Sequence, residues 1–187
     1  REIRPMVKLL AGVLLWSLAH LFKRLAPTFR QGMGDTGKLV VTLALFGSLV
    51  LMVSGYQDAS GPVWWVRQPS SLLISNVLML LAVYLMVVSA LKTSATRVIR
   101  HPQLSAVKAW SLGHLLVNGD LPSLVLFGGL LMWALLSVLI INRQDGETKL
   151  AATNPSWLRE VIAILATFGA YILIGLVHGY LGYPVFN

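Results

Sequence analysis

The chain alternates between long apolar runs and short polar breaks. A membrane-crossing helix needs about 20 mostly apolar residues. Six runs meet or approach that length: Met6 to Phe22, Leu39 to Tyr56, Leu72 to Leu91, Pro102 to Val117, Leu121 to Ile141 and Leu158 to Tyr183. The fourth is the shortest and most polar. The first continues for a full span without a small-residue cleavage site, so it reads as a membrane helix and not as a removed signal, with Met6 as the expected natural start. The pattern predicts an all-α, polytopic transmembrane helix bundle of about six helices. It reads as one integral membrane domain over residues 1–187.

The breaks carry the residues that end and begin helices. Gln31-Gly32-Met33-Gly34-Asp35 is expected to separate the first two helices. Ser60-Gly61-Pro62 followed by Trp64-Trp65 reads as a turn leading into an aromatic anchor at headgroup level. Thr153-Asn154-Pro155-Ser156 is expected to start the last helix, with Ser156 as its N-cap.

Composition agrees with a bilayer. The chain is 56% hydrophobic and only 12% charged, against about 25% charged for a soluble domain. The net charge of +8 would suggest nucleic acid in a soluble protein. Here the cations sit in short loops beside apolar runs, and no polar face interleaves basic and aromatic residues, so nucleic acid is excluded as a partner. Lys23, Arg24, Arg30 and Lys38 follow the first run; Lys92, Arg97 and Arg100 follow the third; Arg143, Lys149 and Arg159 follow the fifth. The positive-inside bias places these loops in the cytoplasm and both termini on the periplasmic side. Cysteine is absent, which excludes disulfides, thiolate metal sites and cysteine catalysis.

The polar residues inside the apolar runs are the candidates for chemistry. Two of the four histidines fall between Arg100 and Asp120. His101 precedes Pro102 at a helix entry, where Arg100 and the helix N-terminus suit an anionic group. Gln103, Val107, Trp110, Ser111, His114 and Asn118 recur at helical spacing and are expected to face the bundle interior, because such side chains are costly in lipid. His114 reads as a buried hydrogen-bonded imidazole, a metal or haem ligand, or a proton donor. His20 follows Trp16 by one turn and reads as an interfacial histidine or a ligand. His178 lies in Gly175-Leu-Val-His178-Gly179, whose small residues signal helix packing. Asp120 is placed to cap the fifth helix. No paired carboxylates, nucleophile elbow or HExxH motif appears. With intramembrane histidines and no thiols, a bis-imidazole haem is the most economical cofactor, with zinc or copper as competitor.

These residues resemble a known family. Ser17-Leu-Ala-His20-Leu, Ser54-Gly55-Tyr56, Arg100-His101-Pro102-Gln103, Trp110-Ser-Leu-Gly-His114-Leu-Leu-Val-Asn118-Gly119-Asp120 and Leu124-Val-Leu-Phe127-Gly128 together resemble the NnrU family of bacterial inner-membrane proteins. The resemblance implies a multi-pass inner-membrane protein associated with denitrification and nitric-oxide metabolism. Plant zeta-carotene isomerases are similar and carry haem b. By that likeness His20 and His114 are the expected iron ligands, with Arg100, His101, Trp110, Ser111 and Asn118 around the cofactor. A cysteine of the plant enzymes, an alternate ligand there, falls at Ser111.

Depth counting qualifies the pairing. At about 1.5 Å per residue, His114 lies roughly 20 Å beyond His101, while His20 lies about 5 Å from Lys23. Upright helices would therefore level His114 with His178, which makes His178 the alternate ligand. The expected partners are the lipid bilayer, a hydrophobic small-molecule ligand, and membrane proteins of nitrogen-oxide metabolism. The function classes left open are a haem-dependent isomerase or redox protein and a non-catalytic accessory subunit. Arg100-His101-Pro102 is also similar to membrane isoprenylcysteine methyltransferases, which use S-adenosylmethionine. Glu147 matches their downstream acid, but their tyrosines are missing and Ala106 replaces their glycine.

Overall fold

A computed structural model describes residues 3–146 and 156–186. Its helices are α1 (Ile3–Leu25), α2 (Pro27–Gly32), α3 (Gly34–Asp58), α4 (Pro69–Leu91), α5 (Pro102–Val117), α6 (Leu121–Asp145) and α7 (Trp157–Tyr180). The all-α bundle expected from the pattern is what forms. Five helices, α1, α3, α4, α6 and α7, are long and apolar enough to cross a membrane. Large apolar side chains such as Leu14, Phe46, Leu73, Leu139 and Ile172 stand exposed on them. That is the pattern of helices facing lipid rather than water.

Local chemistry sets the helix ends. Lys23 and Arg24 lie in the last turn of α1, where cations favour exposed carbonyls. Proline opens α2, α4 and α5, where its missing N–H costs nothing. The expected break over Gln31–Asp35 narrows to Met33 and Gly34, and glycine supplies the positive φ of +52° that the reversal needs. Gln68 and Ser71 form a reciprocal capping box on α4. Ser156 stands at the N-cap of α7 in extended conformation, but its side chain makes no capping bond. Residues 153–155, Lys149 and Glu147 lie outside the described residues. The last helix stops at Tyr180, short of the expected Tyr183, and the chain turns back through Gly182 at φ +90°.

The chain packs as two units, one of Arg1–Val66 with Asn118–Gln144 and one of Arg67–Val117 with Asp145–Asn187. In the first, α1 and α3 approach closely through glycine. A Cβ on Gly12 would lie 2.8 Å from the Met52 backbone nitrogen, and one on Gly55 would lie 2.5 Å from that of Leu9. The same unit joins two loops. Val63 bridges Asp120, the Trp64 N–H donates to the Gly119 carbonyl at 2.8 Å, and the Leu121 N–H donates to Pro62 at 3.0 Å. In the second unit, Ala106, Ala109 and Gly113 of α5 are buried, and a Cβ on Gly113 would clash with Met79 of α4. Its C-terminal segment folds back onto the unit. Arg67 donates to the Pro184 carbonyl at 2.9 Å, Asn76 donates to Val185 at 3.2 Å, and the Phe186 ring occupies the slot at Gly175.

Helix association in a bilayer draws on close packing rather than on hydrophobic burial. Gly55→Ala, forcing α1 and α3 apart, is therefore expected to destabilise the detergent-solubilised protein by about 1–3 kcal/mol. Gly47→Ala, on the same helix with nothing within 4 Å of the added carbon, is expected to be neutral or slightly stabilising. Thermal unfolding followed by circular dichroism checks both.

Candidate functional site

Two histidine-centred clusters emerge, one in each unit. In the first unit, the His20 imidazole lies against two indoles, 4.2 Å from the Trp16 ring and 4.8 Å from that of Trp133 on α6. The two indoles meet edge-on at 5.7 Å. His20 Nδ1 lies 3.0 Å from the Trp16 carbonyl oxygen. A carbonyl only accepts, so this contact puts the proton on Nδ1 and leaves the Nε2 lone pair for a ligand. His20 is exposed, whereas Trp133 is only 7% exposed. Among the described residues, neither indole N–H has an acceptor.

In the second unit, the His114 ring lies 5.0 Å from Trp110 and 6.5 Å from His178, nearly perpendicular to the latter. His178 Nδ1 contacts the Ile174 carbonyl at 2.9 Å, the same one-turn tether seen at His20. The Ser111 hydroxyl, one turn before His114, is fully buried and has no partner among the described residues. At the α5 entry, the His101 carbonyl accepts from Ser105 N–H at 2.9 Å, and Arg100 donates to the Gly146 carbonyl at 2.6 Å.

The expected polar stripe on α5 is corrected in part. Gln103 is exposed, Val107, Trp110, His114 and Asn118 are half-buried, and Ser111 alone of the stripe is fully buried; the line of α5 against α4 is Ala106, Ala109 and Gly113. Small residues take that line because the contact with α4 leaves no room for larger ones. Gly175 also serves a different neighbour than helix packing suggests: it receives Phe186, while Gly179 has nothing within 4 Å. Sequence reading missed Trp133, which sits in an apolar run and gives no polar signal of its own.

Among the described residues, no three His, Cys, Asp or Glu side chains come together. A zinc site built from three or four protein ligands therefore has no donor set there. A haem needs only one or two axial imidazoles. Imidazoles tethered through Nδ1 to a carbonyl, next to buried donors without acceptors, fit such a group.

The turn before α6 is a separate polar centre. Asp120 caps the helix, accepting from the Ser123 N–H at 2.8 Å and from the Ser123 hydroxyl at 2.9 Å. Tyr56 reaches the same hydroxyl at 2.8 Å and packs edge-on against Phe127. Phe127 belongs to a π-helical turn, Leu124–Gly128, a feature frequent at functional sites. Gly119 lies directly under Trp65, leaving no space for a Cβ.

The NnrU protein family model matches residues 8–185, nearly the whole chain. The chain belongs to the NnrU family. No curated protein and no solved structure matches it. In this NnrU chain, two pieces of the resemblance have plain structural duties. Gly55 lets α3 meet α1, while Tyr56 and Asp120 hold the start of α6 through Ser123. Of the expected site residues, His20 and Asn118 belong to the first unit, and Arg100, His101, Trp110, Ser111 and His114 to the second, with His178.

Asp120→Ala removes the cap and leaves a buried serine with fewer partners. It is expected to cost about 1 kcal/mol or more in unfolding free energy. Asp120→Asn, which still accepts from the Ser123 N–H and can donate to its hydroxyl, is expected to retain most of the stability. Parallel thermal melts of the two variants separate these outcomes.

Proposed function

We propose that this chain is a multi-pass inner-membrane protein that binds haem b and serves nitrogen-oxide metabolism, with His114 as a residue that would hold the iron. The observation that carries the haem reading is the repeated Nδ1 tether. His20 and His178 each contact the carbonyl one turn back, as metal-ligating imidazoles do when the other nitrogen holds the metal. Haem would supply one-electron redox chemistry or gas binding at its iron. The protein's part is to fix imidazole orientation, with Trp16 and Trp133 against His20 in the first unit and Trp110 against His114 in the second. The ligand pair implied by the family likeness, His20 with His114, takes one residue from each unit. His114 with His178 lies within one unit, with rings 6.5 Å apart.

Chain continuity supports the topology reading. The loop before α4 and the turn after α5 are hydrogen-bonded together, so α4 leaves that end and α5 returns to it. Counted as a return, the 16 residues of α5 make a short sixth crossing of about 24 Å. Both termini then fall on the side opposite the basic loops, the periplasmic side.

Purification in mild detergent followed by a reduced-minus-oxidised spectrum tests the reading. A Soret band and a sharp α band are expected, lost in His114→Ala. Comparison of His20→Ala with His178→Ala identifies the second ligand by which variant loses the low-spin spectrum. A preparation that stays colourless after haem supplementation overturns the haem reading and leaves a non-catalytic accessory subunit.

A further inference from the structure

At one end of the first unit α1 and α6 finish, α3 begins, and the short α2 lies between α1 and α3. Side chains tie these segments together. Gln144 Nε2 donates to the Arg24 carbonyl at 3.0 Å, joining the last turn of α6 to the last turn of α1. The Phe22 and Phe29 rings meet edge-on at 6.0 Å and set α2 against α1. Arg30 donates to the Gly34 carbonyl at 3.2 Å, and Gly37 clears room for its guanidinium: a Cβ there would lie 2.5 Å from Nη1. Lys23, Arg24, Arg30, Lys38 and Arg143 therefore gather at this end. Asp35 is taken by Lys38 at 2.8 Å, and Asp145 follows Gln144 along α6. Lys23 and Arg143 are exposed, and no acid pairs with either among the described residues.

This end lies at headgroup level. The 23 residues of α1 span about 35 Å, more than the roughly 30 Å of the hydrocarbon layer, so the Lys23–Arg24 turn falls among the phosphates. Leu25 and Phe29 stand exposed beside the cations, as apolar side chains do where they enter the acyl boundary below a charged surface. Setting the orientation of the chain needs only a number of basic residues in a loop. It does not need a glycine that seats Arg30, nor a bond that brings α6 to Arg24. Basic pockets between membrane helices bind lipids with multiply charged headgroups. We propose that this end of the first unit binds an anionic phospholipid whose headgroup carries two phosphates. Lys23, Arg30 and Arg143 hold the phosphates, and Leu25 and Phe29 lie against the acyl chains. Three cations exceed the charge of one phosphate, which selects the diphosphate headgroup. The site is independent of the haem reading.

The test titrates cardiolipin, phosphatidylglycerol and phosphatidylcholine of matched acyl chains onto the full-length protein in detergent, with bound lipid counted by native mass spectrometry. Cardiolipin is expected to bind about tenfold or more tighter than phosphatidylcholine, with phosphatidylglycerol between them. Lys23→Gln and Arg143→Gln are each expected to weaken cardiolipin binding by about fivefold, the scale of one cation at an anionic surface. Phosphatidylcholine binding is expected to stay unchanged. Gly37→Ala, which displaces the Arg30 guanidinium without removing a charge, is expected to weaken cardiolipin binding as well. Lys8→Gln, an exposed cation toward the other end of α1, is the control and is expected to leave it intact. Equal binding of the three lipids by wild type overturns the proposal. So does an equal loss in Lys8→Gln, which would make net charge alone responsible. Should Gly37→Ala fail to fold, as judged by circular dichroism, the two surface variants carry the comparison.

Discussion

The bilayer core holds no water to satisfy polar groups, so each one must find its partner within the protein. Much of the polar arrangement follows from this. Ser17 donates to Val13, Ser137 to Trp133 and Thr167 to Ala163, each to a carbonyl one turn back. His20 and His178 do the same through Nδ1. A side chain that bonds its own helix needs no other helix, so these residues can sit in apolar segments without specifying a fold. The buried side-chain atoms without partners among the described residues are Trp16 Nε1, Trp133 Nε1, Ser111 Oγ and Thr93 Oγ1. The first three stand beside His20 or His114. That coincidence, and not the histidines alone, sets these places apart from the rest of the helix surfaces.

The second constraint is close approach. Lipid tails are as apolar as leucine, so helices gain by bringing backbones together. Gly12 and Gly55 do this for α1 and α3, Gly129 for α1 and α6, and Gly113 for α4 and α5. These contacts decide which faces turn inward. They explain why alanine and glycine line the face of α5 that meets α4, with Trp110 and His114 half-buried beside that line.

The spans were legible because twenty uncharged apolar residues admit few alternatives, and the caps were legible because proline and the Asp120 side chain act locally. The Asp120–Ser123–Tyr56 network was only half legible: the cap is a short-range signal, but Tyr56 lies 67 residues away from Ser123. Counting depth along helices put His114 and His178 at one level, and the structure sets their rings 6.5 Å apart; that they would face each other was not legible. Trp133 was not legible, since an indole in an apolar run looks like core until the structure sets it against His20. The reach of Phe186 into Gly175 was hidden for the same reason, because a glycine pair four residues apart reads as a helix-packing motif whichever neighbour fills it.

The shortness of α5 ties these threads together. At about 24 Å it falls below the roughly 30 Å of the hydrocarbon layer, and it is not among the five helices long and apolar enough to cross it. Each end carries polar residues: Arg100 and His101 at the entry, Asn118 to Asp120 at the exit. At the exit, the 59–66 loop is folded onto the turn by backbone hydrogen bonds, and Trp65 covers Gly119. The backbone of the turn is thereby paired and shielded. The shortest and most polar of the apolar runs is thus the one that carries His114, with its exit turn held by backbone hydrogen bonds.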